Sequence, residues 1–263
     1  MAERATGHLL RDIYERLFNA YGPQHWWPAD EPFEVMVGAV LTQSTAWTNV
    51  EKAIDRLKSA GALDPAALRR LNLDGIAALV RSSGYYHVKA RKLKALVEWL
   101  GGHRDDLSRL RKRGAADLRL ELLEVYGVGE ETADSILLYA LGKPAFVIDA
   151  YTRRTIDRIG VAVEPRTYGG YQALFAHNLS ADTSLFNEYH ALFVQHGKET
   201  CRKTPRCPRC CLLDTCRFGQ SLLESGRRVL IHPSPLPHFL REEGEELFRR
   251  GWRPIGLSSL LQR

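Results

Sequence analysis

Apolar side chains recur every three or four residues along most of the chain, and sustained two-residue alternation is rare. That period places them on one face of a helix rather than on one face of a strand. Leu9, Leu10, Ile13, Leu17 and Phe18 form the stripe of an amphipathic helix over 8–20. Residues 33–42 are apolar nearly all round and include Gly38, the signature of a buried helix that lets a neighbour approach closely. The same periodicity predicts helices over 48–60, 65–71, 73–81, 88–100, 116–125, 131–140, 150–159, 168–179 and 185–198. Asp64-Pro65 puts a capping side chain before a proline at the first helical position, a clear start signal. From Ser221 onward the character changes, because Pro233, Pro235 and Pro237 would break a helix or a central strand. One more charged helix is expected over 242–250, and no internal repeat is visible. The fold class expected is all-α.

Composition narrows the class further. At 263 residues, 44% apolar and 26% charged, the chain can bury a substantial core and is too apolar to be disordered. A net charge of +6 suits a polyanionic partner, although a mildly basic surface is often merely solvated. No apolar run follows the charges near the N-terminus, so no secretory signal is visible. No segment approaches the ~20 apolar residues that span a bilayer. The expected setting is intracellular and away from membranes. All five cysteines lie between positions 201 and 216. Thiols crowded this way in a reducing compartment point to a bound metal rather than to disulfides.

Cys201, Cys207, Cys210 and Cys216 contain one short Cys-x-x-Cys pair with a long arm on either side. Zinc usually takes two short pairs, whereas a loop with long arms can wrap a bulkier [4Fe–4S] cubane. The cluster is therefore the expected cofactor, with structural zinc or free thiols as alternatives. Cys211, adjacent to Cys210, is an alternative ligand in its place. Arg202, Lys203, Arg206 and Arg209 lie between the thiols, so a cluster would hold them as a rigid basic projection suited to phosphates. The plain alternative for them is a solubilising surface.

A second motif lies upstream. Residues 123–134 read as a helix, a Gly127-Val128-Gly129 turn and a second helix. The glycines permit a tight turn with exposed N–H groups, so a phosphate can sit against the new helix N-terminus. On its own the stretch could equally be an ordinary helical hairpin. Asp149 follows at the mouth of the next helix, where it is a favoured N-cap. Capping and chemistry are compatible there, since helix N-terminal N–H groups favour the ionised form of a carboxylate. An ionised carboxylate is what an electron-poor sugar carbon needs opposite it. Chemistry on a gripped strand is the expectation.

These motifs resemble the endonuclease III, or helix-hairpin-helix, superfamily of base-excision DNA glycosylases. The resemblance rests on the hairpin, Asp149, Gln43 in Leu41-Thr-Gln-Ser-Thr45, and the cysteine loop. It runs from about Trp26 to Cys216, roughly three-quarters of the chain. The first cysteine gap is one residue shorter than the family's usual spacing, which bears on the shape of that loop. Within the superfamily the chain is most similar to 3-methyladenine glycosylases of the MagIII type. Trp26-Trp27-Pro28, Trp47 after the Leu-Thr-Gln turn, and Glu131 after the hairpin carry that likeness. Ser83-Gly84-Tyr85-Tyr86 and His196-Gly197-Lys198 extend it, although the MagIII type proper lacks the cluster. Bifunctional endonuclease III enzymes carry a lysine where this chain has Glu131, and a carboxylate cannot form their Schiff base.

The resemblance implies two domains. Residues 29–145 would form a helical barrel bearing the hairpin. Residues 1–28 with 146–219 would form the cluster domain, and 220–263 an extension of unassigned role. It further implies a monofunctional glycosylase that hydrolyses the N-glycosidic bond of alkylated purines, chiefly 3-methyladenine. Asp149 would be the catalytic carboxylate, stabilising oxocarbenium character and orienting water. Trp26, Trp27 and Trp47 would stack on a flat cationic base, with Glu131 attracting its charge and Lys198 beside it. Gln43 would fill the gap left by the extruded nucleotide. Gly127, Val128, Gly129 and Thr132, with Arg202, Lys203 and Arg206, would contact the backbone. The plain alternatives are core or surface aromatics, a first-turn acid, a C-terminal helix cation and a polar turn residue, respectively for the tryptophans, Glu131, Lys198 and Gln43. The partner expected is double-stranded DNA containing damaged bases, and the protein is expected to be a monomer. Competing functions are removal of uracil, mismatched thymine or oxidised pyrimidines, or non-catalytic recognition of damage.

Overall fold

A computed structural model describes residues 2–225, and no strand occurs among them. The proline-rich segment and the helix expected over 242–250 lie outside the described residues. Helix α1 (Ala2–Tyr21) buries Leu10, Ile13 and Leu17 completely, the stripe its period predicts. Helix α2 (Pro32–Leu41) opens on a proline at its first turn and buries every residue from Phe33 to Leu41. Gly38 in its middle admits the Trp27 indole, whose nearest atom would lie 3.1 Å from an added Cβ.

Helices α3 (Trp47–Ser59), α4 (Pro65–Arg70), α5 (Leu73–Leu79) and α6 (Tyr86–Gly102) follow in quick succession. Asp64 caps α4 by accepting from the Ala67 amide at 2.8 Å, as Asp64-Pro65 foretells. Helix α7 (Leu107–Arg111) is too short for periodicity to reveal, and Asp106 caps it. Helices α8 (Ala115–Glu124) and α9 (Glu130–Ser135) flank the Gly-Val-Gly turn. Then come α10 (Ala150–Ile159), α11 (Tyr168–Asn178), α12 (Thr183–Glu199) and α13 (Arg217–Glu224). The last of these runs across position 220 as far as Glu224, so the helical body continues past the cysteine loop.

The described residues contain two hydrophobic clusters. One gathers α2 through α9, from Phe33 to Leu141. The other gathers Leu10, Ile13 and Leu17 of α1 with residues from Leu138 to Cys216. Its centre is aromatic: Phe146 stacks on Phe175 at 3.8 Å and Tyr189 on Phe193 at 4.7 Å. Past α9 the chain widens into a π-turn over Ile136–Ala140. The wider turn sends Ile136 and Leu137 into the first cluster and Leu138 into the second, with Tyr139 touching both. Such turns re-aim side chains, and here the re-aimed side chain is Tyr139.

Candidate active site and nucleic-acid interface

The hairpin begins where α8 ends. Gly127 has φ +80, which favours glycine, and the Lys92 stem lies across it: an added Cβ would come 2.3 Å from Lys92 Cγ. Gly129 is extended and caps α9, with nothing within 4 Å of an added Cβ, so its outer side is open to an approaching backbone. Asp134, fully buried, accepts from Arg119 of α8 at 2.8 Å and from Gln172 of α11 at 2.9 Å, which braces α9.

Three residues expected at the DNA contact also make contacts within the fold. Val128 packs in the first hydrophobic cluster and donates its amide to Val125 O at 3.0 Å, so it anchors the turn from within. Thr132 is buried and its hydroxyl accepts from Gln43 Nε2 at 2.9 Å. Gln43 also donates to Gly127 O at 3.0 Å and accepts from Lys92 Nζ, so its amide laces the loop after α2 to the hairpin. Ser44 in that loop is exposed, at φ +55. Gly127→Ala should therefore cost at least about 1 kcal/mol, roughly 2–4 °C in Tm, and displace Lys92. Calorimetry would read the destabilisation, and fluorescence anisotropy with abasic DNA would read whether the hairpin contributes to DNA affinity.

Asp149 caps α10 as expected: Oδ1 accepts from the Thr152 amide at 2.7 Å, and the residue is 9% exposed. Its Oδ2 lies 3.8 Å from Nε2 of His190, a buried side chain on α12. Nδ1 of the same ring meets the Tyr139 hydroxyl at 2.5 Å. Burial pushes the His190 pKa down, against the opposing pull of Asp149. Glu131, in the first turn of α9, keeps exposed surface yet is recessed among other groups. Burial raises it to about 7, the nearby Asp149 charge adds to the rise, and Arg153 opposes it.

That rise sets a pH dependence. With a folded-state pKa near 7 against an unfolded value of about 4.3, Glu131 binds its proton more tightly when folded. Its contribution is present below about pH 4.3 and lost as pH rises through 7. Glu131→Gln should thus raise Tm above pH 7 and change little near pH 4, with the gain moderated by solvent contact. Melting curves across pH test the sign.

The three tryptophans come together. Trp26 lies 5.2 Å from Trp27 and 5.5 Å from Trp47, and Trp27 meets Trp47 edge-on at 5.2 Å. Each remains partly exposed. Lys198 Nζ sits 5.7 Å above the Trp26 ring, and Trp27 contacts Tyr139 at 5.3 Å, which links the aromatics to His190 and Asp149. A cavity of about 180 Å³ beside Trp27, Pro28 and Trp47 has Glu34, Glu51 and Asp55 in its wall, with Lys58. Tyr85, at the start of α6, is 73% exposed.

Cys201, Cys207, Cys210 and Cys216 line one cavity with His196 and Leu212, and Cys211 does not. Burial raises the thiol pKa of Cys207 and Cys216 and pushes Cys210 up to about 12. Arg158 donates to Cys201 Sγ at 3.3 Å and the Gly219 amide to Cys216 Sγ at 3.4 Å. No three His, Cys, Asp or Glu side chains among the described residues converge as for one metal ion. Four soft donors spread round an apolar cavity, with N–H groups at the sulfurs, suit a multinuclear cluster. Arg158 also holds the carbonyls of Arg202 at 2.7 Å and Lys203 at 3.1 Å, and Arg154 holds Cys201 O at 2.7 Å. The side chains of Arg202, Lys203 and Arg206 are exposed on this braced loop.

Tyr139, His190, Lys92 and Arg158 escape a reading of the sequence. Each looks like one more residue on a helix, and only the packing reveals its partners.

Residues 37–178 match the family described as the HhH-GPD superfamily base excision DNA repair protein. MJ1434 of Methanocaldococcus jannaschii, whose DNA repair glycosylase assignment is itself provisional, is 42% identical over 79% of this chain and 96% of its own. Endonuclease III of Thermotoga maritima is 30% identical over 72% of this chain and 84% of its own. The H. pylori 3-methyladenine DNA glycosylase MagIII, bound to 1,N6-ethenoadenine, superposes with a TM-score of 0.62 at 26% identity. That match covers 74% of this chain and 97% of MagIII. The all-α fold, the glycine hairpin and Asp149 at a helix mouth thus accompany similarity along most of the chain: it belongs to the HhH-GPD superfamily of base excision DNA repair proteins.

Proposed function

We propose that this protein is a monofunctional DNA glycosylase that removes alkylated purines, of the 3-methyladenine kind, from double-stranded DNA. The observation that carries the reading is the setting of Asp149. A carboxylate at a helix N-terminus, held through one oxygen, stands near Glu131 where a Schiff-base enzyme would need an amine. As the N-glycosidic bond breaks, its electron pair leaves with the base and positive charge develops on the sugar. Asp149 offsets that charge. Water then adds at C1′ and releases a proton, for which Asp149 is a ready acceptor. A purine made cationic by methylation leaves as a neutral base and needs no proton of its own.

The tryptophan cluster suits such a base, because indole faces attract flat cations. The likeness to the H. pylori 3-methyladenine glycosylase supports the same substrate class. In this reading the base pocket comprises Trp26, Trp27, Trp47, Glu131 and Lys198. Gly127, Gly129, Arg202, Lys203 and Arg206 face the DNA backbone. Cys201, Cys207, Cys210 and Cys216 would hold a [4Fe–4S] cluster, whose chemistry here is that of a structural clamp. The two hydrophobic clusters would correspond to a barrel over 29–145 and a cluster domain of 1–28 with 146–219.

Single-turnover base release from a panel of duplexes tests the substrate assignment. The expected result is free methylpurine and an abasic strand. Processing of uracil, mismatched thymine or oxidised pyrimidines, with methylpurine release undetectable, would overturn the pocket assignment. Equal lesion affinity in wild type and Asp149→Asn, with no base released by either, would instead favour damage recognition without catalysis.

A further inference from the structure

We propose that His190, held by Tyr139, is a positioning residue that orients the Asp149 carboxylate through its Nε2–H. The inference rests on the glycosylase reading above and adds residues that neither the motifs nor the resemblance singles out. Three observations carry it. His190 is 5% exposed, and its Nε2 is a buried polar atom with no hydrogen-bond partner. That nitrogen faces Asp149 Oδ2 at 3.8 Å, slightly beyond a hydrogen bond. The opposite nitrogen, Nδ1, is engaged by the Tyr139 hydroxyl at 2.5 Å.

The chemistry of imidazole supplies the rest. In a neutral ring one nitrogen donates and the other accepts. A tyrosine hydroxyl that donates to Nδ1 leaves the ring proton on Nε2, aimed at the carboxylate. Burial favours the neutral ring, against the opposing pull of Asp149. A neutral donor orients Asp149 without cancelling the negative charge that the sugar requires. The Thr152 amide holds one carboxylate oxygen, and His190 is placed to hold the other. Leaving a buried donor unpaired is unfavourable, and a shift of about an ångström on closing over DNA would complete the bond.

The groups around this pair set its limits. The Asp149 charge helps raise Glu131, while Asp149 and Glu188 both raise the Tyr139 pKa after the larger effect of burial. Tyr139 therefore stays protonated and able to donate throughout the physiological range. It reaches this place because the π-turn over Ile136–Ala140 re-aims it between the two hydrophobic clusters.

Two measurements test the proposal. Nitrogen-detected NMR of the histidine rings in the free wild-type protein reads the tautomer without any catalysis. The expected result is a neutral His190 with its proton on Nε2 at pH 6, which shifts in Asp149→Asn and loses its tautomer preference in Tyr139→Phe. A proton on Nδ1, or a ring already charged at pH 6, would overturn it. The second measurement compares His190→Gln, which keeps a donor near Nε2, with His190→Leu, which does not. Single-turnover base release should fall by about 10²-fold in the leucine variant at unchanged lesion affinity. The glutamine variant should recover at least about tenfold of that loss. Equal rates in wild type and the leucine variant, or equal losses in both variants, would contradict the positioning role. Should the leucine variant fail to fold, the glutamine variant and the wild-type tautomer still decide. Failure of the wild-type enzyme to release any base would sink the glycosylase reading while the tautomer result stands.

Discussion

Asp149→Asn should lower single-turnover base release by about 10³-fold or more while the protein remains folded. The two effects separate because the proposed function adds a catalytic role to the capping role that the structure shows for Asp149. As a cap it presents Oδ1 to the Thr152 amide, and an asparagine carbonyl can take that hydrogen bond. The fold should therefore lose at most about 1 kcal/mol. As a charge it has no substitute, because an amide cannot offset the positive sugar. Lesion affinity should hold steady, since the proposed function assigns the grip to the hairpin and the tryptophans. The same substitution removes the like charge that helps raise Glu131, so the Glu131 pKa should fall below about 7. Side-chain carbonyl NMR reads that shift directly, and it would occur whether or not the protein were catalytic. Base release within tenfold of wild type would show that another group carries the chemistry.

Cys207→Ala should have the larger effect on stability. If Cys201, Cys207, Cys210 and Cys216 hold a cluster, its binding free energy is folding free energy, as for structural metals, on the order of 10 kcal/mol. That is comparable with the whole stability of an ordinary domain. Losing one ligand should bleach the visible absorbance, free the loop and loosen α13, which packs over the same cavity through Gly219. Arg202, Lys203 and Arg206 would then no longer project from a braced loop. The salt dependence of DNA affinity should become shallower by about 0.9 in logarithmic slope for each phosphate that the loop no longer neutralises. Cys211→Ser should keep the absorbance, since Cys211 does not line the cavity. Bleaching by Cys211→Ser but not by Cys210→Ser would reverse that ligand choice.

Much of the fold is legible from periodicity because the helices are long and one-sided. The stripe of Leu10, Ile13 and Leu17 announces α1, and Asp64-Pro65 announces the start of α4. Helix α7 is hidden because five residues cannot show a period. At the site, the motifs that depend on local backbone are readable: Gly127 needs its positive φ, and Asp149 needs a helix to cap. Gln43, Val128 and Thr132 read as DNA contacts because they sit in the right motifs. Only the packing reveals that the Gln43 amide also ties the loop after α2 to Gly127 and Thr132, and that Val128 sits in the first hydrophobic cluster. The Tyr139–His190 contact spans 51 positions and depends on a π-turn, which leaves no periodic trace.

Glu131 makes the central claim open to one direct comparison. Wild-type protein, incubated with a duplex bearing 3-methyladenine, is divided into samples with and without borohydride, and strands and free base are resolved before heating or alkali. Hydrolysis assisted by Asp149 alone predicts free 3-methyladenine, an uncut abasic strand and no protein bound covalently to DNA in either sample. A borohydride-trapped complex, or a strand already cut, would mean that an amine attacks the sugar, and the water-based account would be wrong.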